Sequence, residues 1–505
     1  MKKYYKDADK SIIMGLSELS EGPFYPMHMP GHKRRLLRDN GLPYGLDITE
    51  IEGMDDLHHA GGILKEAMER AAAVFGSERT WFLVNGSTCG VMAALGAVLK
   101  HGDKVIMARN CHICAFNAAR LLGLSTAFVM PEYSTGYRIS GSITASSLKR
   151  AIAGNPDAKA VILTSPTYEG VVSDIEALSG ICHENNIPLI IDAAHGAHFR
   201  FYQSLPLKSA LEAGADIVVE SAHKTLPSLT QTALLHLRDF KYTDEKRIEE
   251  QLSIFESSSP SYILMASLDE CTDILKREGE RLFSEYEGRL VELYERLSGL
   301  KSIKAAGASG ITSLPFEEGP FSAIYARDPS RVLISGRAAG LSGEELAGIL
   351  RREYRIEPEM CSGEHVLLLT SVCDTKEGFD RLCDAVTMLD RKSPVKEPAE
   401  NTEGEELSDA LYGEDPHLNG SRDTVCATEC RLTITEAAES EQELVRMEEA
   451  EGRICGEYVY LYPPGIPLLI PGEVLTEGVL RYMKGLGCRL KKTKSPNAGE
   501  IAVLL

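Results

Sequence analysis

The sequence predicts an α/β fold with a mostly parallel sheet in a large domain and smaller α+β domains toward the C-terminus. Strand-like apolar runs alternate with helical patterns from residue 61 to about residue 237, which implies a mostly parallel sheet covered by helices on both faces. The chain has 505 residues, of which 43% are hydrophobic and 25% are charged. It is therefore long enough for about two or three domains with a substantial core.

The first 60 residues are predicted to form an arm rather than a domain, because prolines interrupt any long helix there. Residues 61–270 form the predicted large domain. Its predicted elements, in order, are the helix ILKEAMERAAAVFG, the strand TWFLVN, a helix from Gly86, the strand KVIMA, a helix containing Phe116 to Leu122, the strand STAFVM, a helix near Ala145 to Ala153, the strand AVILTS, the helix IEALSGICHEN, and the strands PLIIDAA and ADIVVES.

A long helix and two smaller domains are predicted after this sheet. The segment ECTDILKREGERLFSEYEGRLVELYERLSGL interleaves charged and apolar residues at helical spacing, which suits a long helix leading into a small α+β domain at residues 271–390. Residues 391–425 are polar, acidic and rich in Pro and Gly, so we predict a linker or an exposed loop. Residues 426–505 form a predicted C-terminal domain.

The charge balance and the apolar runs restrict partner and compartment. The formal net charge of −20 opposes nucleic acid or an anionic membrane as a partner and tolerates cationic small molecules. The N-terminal stretch lacks the apolar core of a signal peptide, and no later run reaches the roughly 18 uncharged residues of a membrane helix. We therefore expect a cytoplasmic protein.

The cysteines favour the same compartment. Twelve cysteines, unevenly spaced and mostly inside apolar segments, indicate buried free thiols rather than a disulfide framework. The pairs Cys111/Cys114 and Cys426/Cys430 each resemble half of a zinc site, but neither has a second matching pair. We therefore predict no bound metal.

Lys224 lies in an unusual setting for a lysine. It follows the apolar run of the last predicted strand and precedes the uncharged stretch from Thr225 to Leu237, whereas surface lysines are usually surrounded by other charges. The structural alternative is a lysine that merely lies near a strand edge. The functional interpretation places it at a strand end, where loops present reactive groups.

Two further motifs follow predicted strands. Gly86, Ser87 and Thr88 follow TWFLVN and open a helix, whose free amide groups and positive dipole end suit a phosphate; the alternative is an ordinary helix N-cap. Asp192 ends a buried strand, where an unpaired carboxylate would be costly, and a protonated pyridine nitrogen would be a suitable partner. The alternative is an aspartate that caps the next helix.

The order of these three motifs matches the needs of pyridoxal phosphate: a phosphate anchor, then a partner for the ring nitrogen, then a Schiff-base lysine. No G-x-G-x-x-G follows the first strand of the sheet, and no G-x-x-x-x-G-K-[ST] occurs, so nicotinamide and nucleoside triphosphate are not indicated. A metal cluster of His195, His198 and His223 with Asp192 is an alternative, but it would leave Lys224 without a role.

These motifs resemble the Orn/Lys/Arg decarboxylases of the major bacterial group, within the fold type I (aspartate aminotransferase-like) superfamily, in the short form that lacks the N-terminal wing. The resemblance covers nearly the whole chain. Its motifs are MPGHK from Met29, DITE and GMDDLH from Asp47, FLVNGST from Phe82, RNCH from Arg109, TSPTYEGVVSDI from Thr164, DAAHGAHF from Asp192, SAHKTLPSLTQTA from Ser221, SSSPSYILMASLD from Ser257 and YPPGIPLLIPGE from Tyr462.

The resemblance implies a role for each residue of the site. Lys224 is the implied Schiff-base lysine, and Asp192 is the implied partner of the pyridine nitrogen. The implied catalytic set is Lys224, His223 and Asp192, with His223 or Lys224 as the proton donor. The other implied cofactor-binding residues are Ser87, Thr88 and Ser221 at the phosphate, His112 stacked on the ring, His195 lining the site, and Ser258 reaching the phosphate from the neighbouring subunit.

The sequence departs from the family pattern at two places beside these residues. Ile113 and Cys114 replace the usual lysine and serine after the stacking histidine, and Ala193 replaces an acidic residue after Asp192. None of these is the reacting group, so the departures concern substrate preference and pH response more than the reaction.

The implied activity is decarboxylation of arginine, lysine or ornithine to the amine and carbon dioxide, with pyridoxal 5'-phosphate, in polyamine metabolism and in a homodimer or a higher assembly of dimers. Carboxylates between residues 47 and 56 are candidates for attracting the cationic end of the substrate. One alternative is another fold type I reaction, either aminotransfer or an aldolase-like step. A second is a catalytically idle regulatory homologue, which the retention of Lys224 and Asp192 disfavours. The sequence does not distinguish the three amino acids.

Overall fold

The computed structural model describes residues 11–23, 26–34, 41–134, 137, 139–307, 323–363, 365–396, 429–462, 465–486, 490–497 and 499–505. The predicted linker at 391–425 lies outside the described residues from 397 onward, and so does Cys426 of the second cysteine pair. The predicted domain boundaries stay predictions.

The helices, numbered in chain order, are α1 (Ile12–Glu21), α2 (Ile63–Phe75), α3 (Gly86–Val98), α4 (Ile113–Leu121), α5 (Ala145–Gly154), α6 (Ile175–Glu184), α7 (Ala222–Thr225), α8 (Glu245–Phe255), α9 (Tyr262–Ser298), α10 (Gly343–Tyr354), α11 (Lys376–Lys392), α12 (Ile434–Glu439) and α13 (Glu477–Leu486). Short 3₁₀ turns lie at Leu57–His59, Phe199–Phe201, Arg337–Ala339 and Met447–Glu449.

The strands are β1 (Arg79–Leu83), β2 (Lys104–Ala108), β3 (Ser125–Val129), β4 (Tyr133–Ser134), β5 (Ile139–Ser140), β6 (Ala158–Thr164), β7 (Val171–Val172), β8 (Leu189–Asp192), β9 (Ile217–Glu220), β10 (Ala233–Leu237), β11 (Lys304–Ala305), β12 (Ala326–Arg327), β13 (Arg331–Ser335), β14 (Met360–Ser362), β15 (His365–Leu369), β16 (Gln442–Arg446), β17 (Val459–Leu461), β18 (Ile466–Leu469), β19 (Leu490–Lys492) and β20 (Glu500–Leu504).

The chain divides into two compact units, of which the first comprises Met1–Val98 and Pro188–Glu285. Its strands lie in the order β1, β10, β9, β8. β10 pairs antiparallel with both β1 and β9, and β8 pairs parallel with β9. Consequently β1, β8 and β9 all run in one direction and end at the same edge. Helix α3 follows β1 and contacts β9, β10 and α8.

The second unit comprises Leu99–Ile187 and Tyr286–Leu505. Its first sheet strands lie in the order β6, β2, β3, and all are parallel. An antiparallel sheet in the order β11, β13, β15, β14 follows. The C-terminal residues form the antiparallel sheets β16–β20 and β18–β17–β19 around an apolar core that includes Val459, Leu469 and Met483.

Most predicted elements of the large domain match observed ones, and two differences have physical causes. The long helix begins at Tyr262, before its predicted start at Glu270, because Pro260 ends the preceding loop and the Ser261 hydroxyl accepts a hydrogen bond from the Leu264 amide. β10 was not assigned from the sequence. It pairs antiparallel within the sheet, so no helical crossover marks it as a strand.

The described cysteines behave as free thiols. Ten cysteines lie in the part of the chain that the structure describes, and all ten are free, seven of them buried. Among the described residues, no helix is long and apolar enough to cross a membrane.

Gly90 of α3 provides a test of this packing. A methyl group there would lie 2.5 Å from Leu83 Cδ1 and 2.9 Å from Val219 Cγ1, so Gly90→Ala forces these two side chains or the helix to shift. We expect the free energy of unfolding to fall by about 1–3 kcal/mol, measured by urea denaturation.

Gly180 of α6 is the matched control, because nothing lies within 4 Å of a methyl group built there. Gly180→Ala should raise the free energy of unfolding by roughly 0.5–1 kcal/mol through helix propensity alone. Equal effects of the two substitutions would contradict the packing described for α3.

Candidate active site

The turn after β1 and the end of β9 bring two predicted phosphate ligands together. Gly86 adopts φ +76°, a left-handed conformation that glycine reaches without strain, and Ser87 follows it at the start of α3. The Ser221 hydroxyl, fully buried after β9, donates a hydrogen bond of 2.9 Å to the Ser87 hydroxyl. Thr88 is exposed in the first turn of α3. This pair of hydroxyls lies beside the amide groups of a helix N-terminus, where an anion is stabilised.

The end of β8 supplies a buried carboxylate at the same edge. Asp192 is only 5% exposed, and its Oδ1 accepts a hydrogen bond of 3.1 Å from the Ala194 amide. The Ala193 amide is bonded to the Val219 carbonyl of β9, which fixes the backbone just after the carboxylate. A buried carboxylate needs a cationic or hydrogen-bonding partner, and the Ala194 amide supplies one hydrogen bond.

Lys224 meets His195 at this edge. Lys224 Nζ lies 3.0 Å from His195 Nε2. His195 follows β8 in the buried DAAH segment, and Lys224 lies on the short helix α7 that follows β9. The structure therefore brings Ser87, Ser221, Lys224 and His195 to the shared edge of β1, β8 and β9, the edge at which β8 ends in Asp192.

His223 is held by the backbone. Its Nδ1–H donates a hydrogen bond of 2.9 Å to the Thr232 carbonyl, which leaves Nε2 as the acceptor in the neutral ring. Burial lowers the pKa of His223, and the positive charge of Lys224 lowers it further, against an opposing effect of the Thr232 carbonyl. The neutral ring is therefore favoured near pH 7.

His112 belongs to the second compact unit, and its contacts are those within that unit. It is the N-cap of α4, where its Nδ1 accepts a hydrogen bond of 3.3 Å from the Cys114 amide. This hydrogen bond uses Nδ1 of the ring as the acceptor at the start of the helix.

Glu256 is a residue of this region that was not identified from the sequence. Its Oε1 accepts a hydrogen bond of 2.8 Å from the Val84 amide, and the next residue, Ser257, donates from its amide to Asn85 Oδ1 at 3.3 Å. His58 Nε2 donates to the Ser257 carbonyl at 2.9 Å. The segment after α8 thus braces the turn that carries Ser87. The sequence feature that could have identified Glu256 is its position between the apolar C-terminal end of α8 and three consecutive serines.

Burial changes the pKa of the Glu256 carboxyl group. Burial raises the pKa of Glu256 to about 7, although the Val84 amide, His58, the Asn85 amide and the Cys89 thiol all lower it. Glu256 is 7% exposed. The carboxyl group that supports the predicted phosphate turn is therefore neutral under mildly acidic conditions.

The acidic residues between 47 and 56 divide into two groups. Asp47 pairs with His32 at 3.0 Å, and Asp55 accepts amide hydrogen bonds at the start of α2, from Gly61, Gly62 and Leu64. Asp56 caps the 3₁₀ turn through the His58 amide. Glu50 and Glu52 are exposed. Three of the candidate carboxylates thus have structural partners.

The family models match most of the chain. The model described as Orn/Lys/Arg decarboxylase, major domain, matches residues 39–378, and the model described as Orn/Lys/Arg decarboxylase, C-terminal domain, matches residues 421–492. The chain belongs to the Orn/Lys/Arg decarboxylase family. The family prediction is confirmed, and so is the activity: a pyridoxal phosphate-dependent decarboxylase of basic amino acids.

Relatives of this Orn/Lys/Arg decarboxylase cover nearly its whole length. The arginine decarboxylase of Bacillus subtilis is 34% identical over 481 residues, which are 94% of this chain and 92% of the relative. The arginine decarboxylase of Bacillus anthracis is 32% identical over 94% of this chain and 92% of its own. The lysine decarboxylase LdcA of Pseudomonas aeruginosa is 22% identical over 91% of this chain and 73% of its own.

Solved structures show the fold. The Francisella novicida lysine decarboxylase LdcF aligns with a TM-score of 0.81 at 17% identity, over 98% of this chain and 81% of that chain. Lysine decarboxylase A from Pseudomonas aeruginosa aligns with a TM-score of 0.81 at 19% identity, over 99% of this chain and 81% of that chain. The prediction of an α/β, fold type I architecture with a mostly parallel central sheet is confirmed.

The raised pKa of Glu256 gives a pH-dependent prediction. The folded protein holds this proton more tightly than the unfolded chain, so its contribution to stability is full below pH 4.5 and is lost as the pH rises to about 7. At about 1.4 kcal/mol per pKa unit, the loss is about 3 kcal/mol. Urea unfolding of the parent and Glu256→Gln at pH 5 and pH 8 should show the parent losing stability relative to the variant.

The glutamine keeps the acceptor for Val84 but does not titrate, and the other groups titrate in both proteins alike. Glu184→Gln, at the exposed end of α6, is the control and should shift the urea midpoint by the same amount at both pH values. A parent and a Glu256→Gln variant with parallel pH profiles would contradict the buried, proton-binding state of Glu256.

Proposed function

We propose that this decarboxylase acts on arginine in preference to lysine or ornithine, and that the reaction takes place at the shared edge of β1, β8 and β9. The substrate preference is supported by the relatives: those 32–34% identical include four named arginine decarboxylase, whereas relatives named lysine or ornithine decarboxylase are 22–23% identical. The observation that best supports this site is the distance of 3.0 Å between Lys224 Nζ and His195 Nε2.

The donor set at this edge fits pyridoxal phosphate. Ser87, Thr88 and Ser221 would hold the phosphate, because two of these hydroxyls are 2.9 Å apart at the start of a helix. Asp192 would hold the ring nitrogen, since a buried carboxylate stabilises a protonated pyridine. Lys224 would hold the aldehyde. The bound cofactor supplies an electron-withdrawing ring, which makes loss of carbon dioxide from the α-carbon possible.

The chain's own residues would position the reacting groups and transfer the proton. His195 Nε2 accepts from the Lys224 ammonium group and so orients it. His223, with a lowered pKa and its Nδ1–H committed to Thr232, is poorly suited to donate a proton near pH 7. We therefore assign the return of a proton to the α-carbon to Lys224 Nζ and assign His223 to accepting a hydrogen bond from the substrate through Nε2.

His112 would stack on the cofactor ring, as it does in the family pattern. The exposed Glu50 and Glu52 would add to the negative potential that attracts the guanidinium group of arginine. We also propose a cytoplasmic location and a role in polyamine synthesis. Ten free cysteines in the described part of the chain support a reducing compartment.

The function is tested by assaying the purified protein, supplied with pyridoxal phosphate, on arginine, lysine and ornithine separately. Carbon dioxide and the amine are measured together. We expect the highest kcat/KM for arginine, with equal amounts of the two products. A higher kcat/KM for lysine or ornithine would contradict the substrate assignment, and a keto acid in place of the amine would contradict decarboxylation.

Lys224→Ala is the variant for this assay. It should lose turnover by several orders of magnitude and still bind pyridoxal phosphate noncovalently, because only the covalent attachment and the proton donor are removed. Lys246→Ala, which removes an exposed lysine of α8, is the matched control and should keep the parental rate. Near-parental turnover in Lys224→Ala would remove this lysine from the mechanism.

We further propose a homodimer in which Ser258 of the partner subunit reaches the phosphate. In each subunit Ser258 is exposed, directly after the segment that braces the phosphate turn. In a dimer with twofold symmetry each subunit then lends a serine to the other site.

Mixing two inactive variants tests this arrangement. One is Lys224→Ala, and the other has Ser257, Ser258 and Ser259 all replaced by alanine. After subunit exchange about half of the dimers are mixed, each with one intact site of two, so about a quarter of the parental activity should return. No recovery despite proven exchange, or full activity of the serine variant alone, would contradict a shared site.

A further inference from the structure

The C-terminal residues 465–473 contact the segment that carries His112, and both belong to one compact unit. The Gly465 carbonyl accepts a hydrogen bond of 3.1 Å from the Ile113 amide, directly after His112. Three residues before His112, the Arg109 guanidinium donates to the Pro467 carbonyl at 2.6 Å and to the Leu468 carbonyl at 2.9 Å. The histidine is therefore bracketed on both sides.

A buried ion pair fixes this bracket. Arg109 Nε and Nη2 contact the two carboxylate oxygens of Glu473 at 3.2 and 3.1 Å. Glu473 is fully buried and also accepts from the Ile470 amide at 2.9 Å. A two-point contact between a guanidinium and a carboxylate has a defined orientation, so residues 467–473 cannot slide along the start of α4 without breaking it.

Gly465 lies beside the His112 ring. A methyl group built on Gly465 would lie 3.2 Å from His112 Nε2 and 3.3 Å from Cδ2. The opposite ring atom, Nδ1, is tied to the Cys114 amide as the cap of α4. The ring is therefore attached to its own helix through Nδ1, and a side chain at position 465 would approach it from the side of Nε2 and Cδ2.

We infer that Gly465 is a positioning residue for the cofactor-stacking ring of His112, so that the C-terminal domain controls cofactor binding through this contact. The inference rests on the proposed stacking role of His112. Two properties favour glycine here: its φ of +87°, and the tight space beside the ring, which would have to move by a few tenths of an ångström to admit a methyl group. Only the second involves His112, and this separates positioning from backbone strain.

Gly465→Ala tests the inference, with Gly452→Ala as the matched control. Gly452 lies in the same C-terminal region with φ +76°, but nothing lies within 4 Å of a methyl group there. Both substitutions strain a left-handed residue, and only the first places a methyl group tightly against the His112 ring. The measurements are the Kd of the apoprotein for pyridoxal phosphate and the visible circular dichroism band of the bound cofactor.

Gly465→Ala should raise the Kd for pyridoxal phosphate roughly two- to tenfold, the range expected when an aromatic stacking geometry is disturbed, and should shift the circular dichroism band. Gly452→Ala should change neither. In a His112→Ala background, Gly465→Ala should have no further effect on the Kd, because the ring through which it acts is gone. Persistence of the full effect in that background would overturn the inference.

Arg109→Lys provides a second route if Gly465→Ala does not fold. It keeps the positive charge and loses the two-point contact with Glu473, so it should raise the Kd in the same direction, again only when His112 is present. If neither variant changes the Kd more than Gly452→Ala does, the inference is wrong. If His112→Ala itself leaves the Kd and the dichroism band unchanged, the proposed stacking role fails, which is a separate result.

Discussion

The site depends on the directions of four strands. Because β1 and β9 both pair antiparallel with β10, they run the same way, and β8 follows β9 in parallel. Three chain segments far apart in sequence therefore end at one edge, and each ends in a polar group: Ser87 after β1, Asp192 at β8 and Ser221 after β9. A shift of one residue in either antiparallel register would turn the buried side chains of β9 or β1 to the opposite face, so the apolar core and the site share one constraint.

Two carboxyl groups are buried close to the ends of these strands. Asp192 and Glu256 are both nearly inaccessible, and each accepts a hydrogen bond from a backbone amide. Glu256 adapts by holding its proton to about pH 7, and it supports the turn that would bind a phosphate dianion. A neutral carboxyl group at that place would avoid repulsion of the phosphate. Asp192, the other buried carboxyl group of this pair, is the proposed partner of the ring nitrogen.

The sequence predicted the residues that follow strands, because a reactive group after an apolar run is a local signal. The turn at Gly86, the carboxylate at Asp192 and the lysine at position 224 were all singled out in this way, and their roles toward the cofactor stay predictions. The fold class was predicted from the alternation of strands and helices and is confirmed. Glu256, Gly465 and β10 were not found, because their roles depend on contacts between residues far apart in the chain: Glu256 with Val84, Gly465 with His112, and β10 with two neighbours. Ser258 stays a prediction, since its proposed target lies in another subunit.

We propose Lys224 as the amine that holds the cofactor at the shared edge of β1, β8 and β9. Reduction of the loaded enzyme with borohydride attaches the cofactor permanently to the amine that carries it, and mass spectrometry of the digested protein identifies that residue. We expect the pyridoxyl group on the peptide containing Lys224 and on no other lysine in more than trace amounts. Stoichiometric modification of a different lysine, or an unmodified Lys224 in a catalytically active preparation, would contradict the assignment of Lys224.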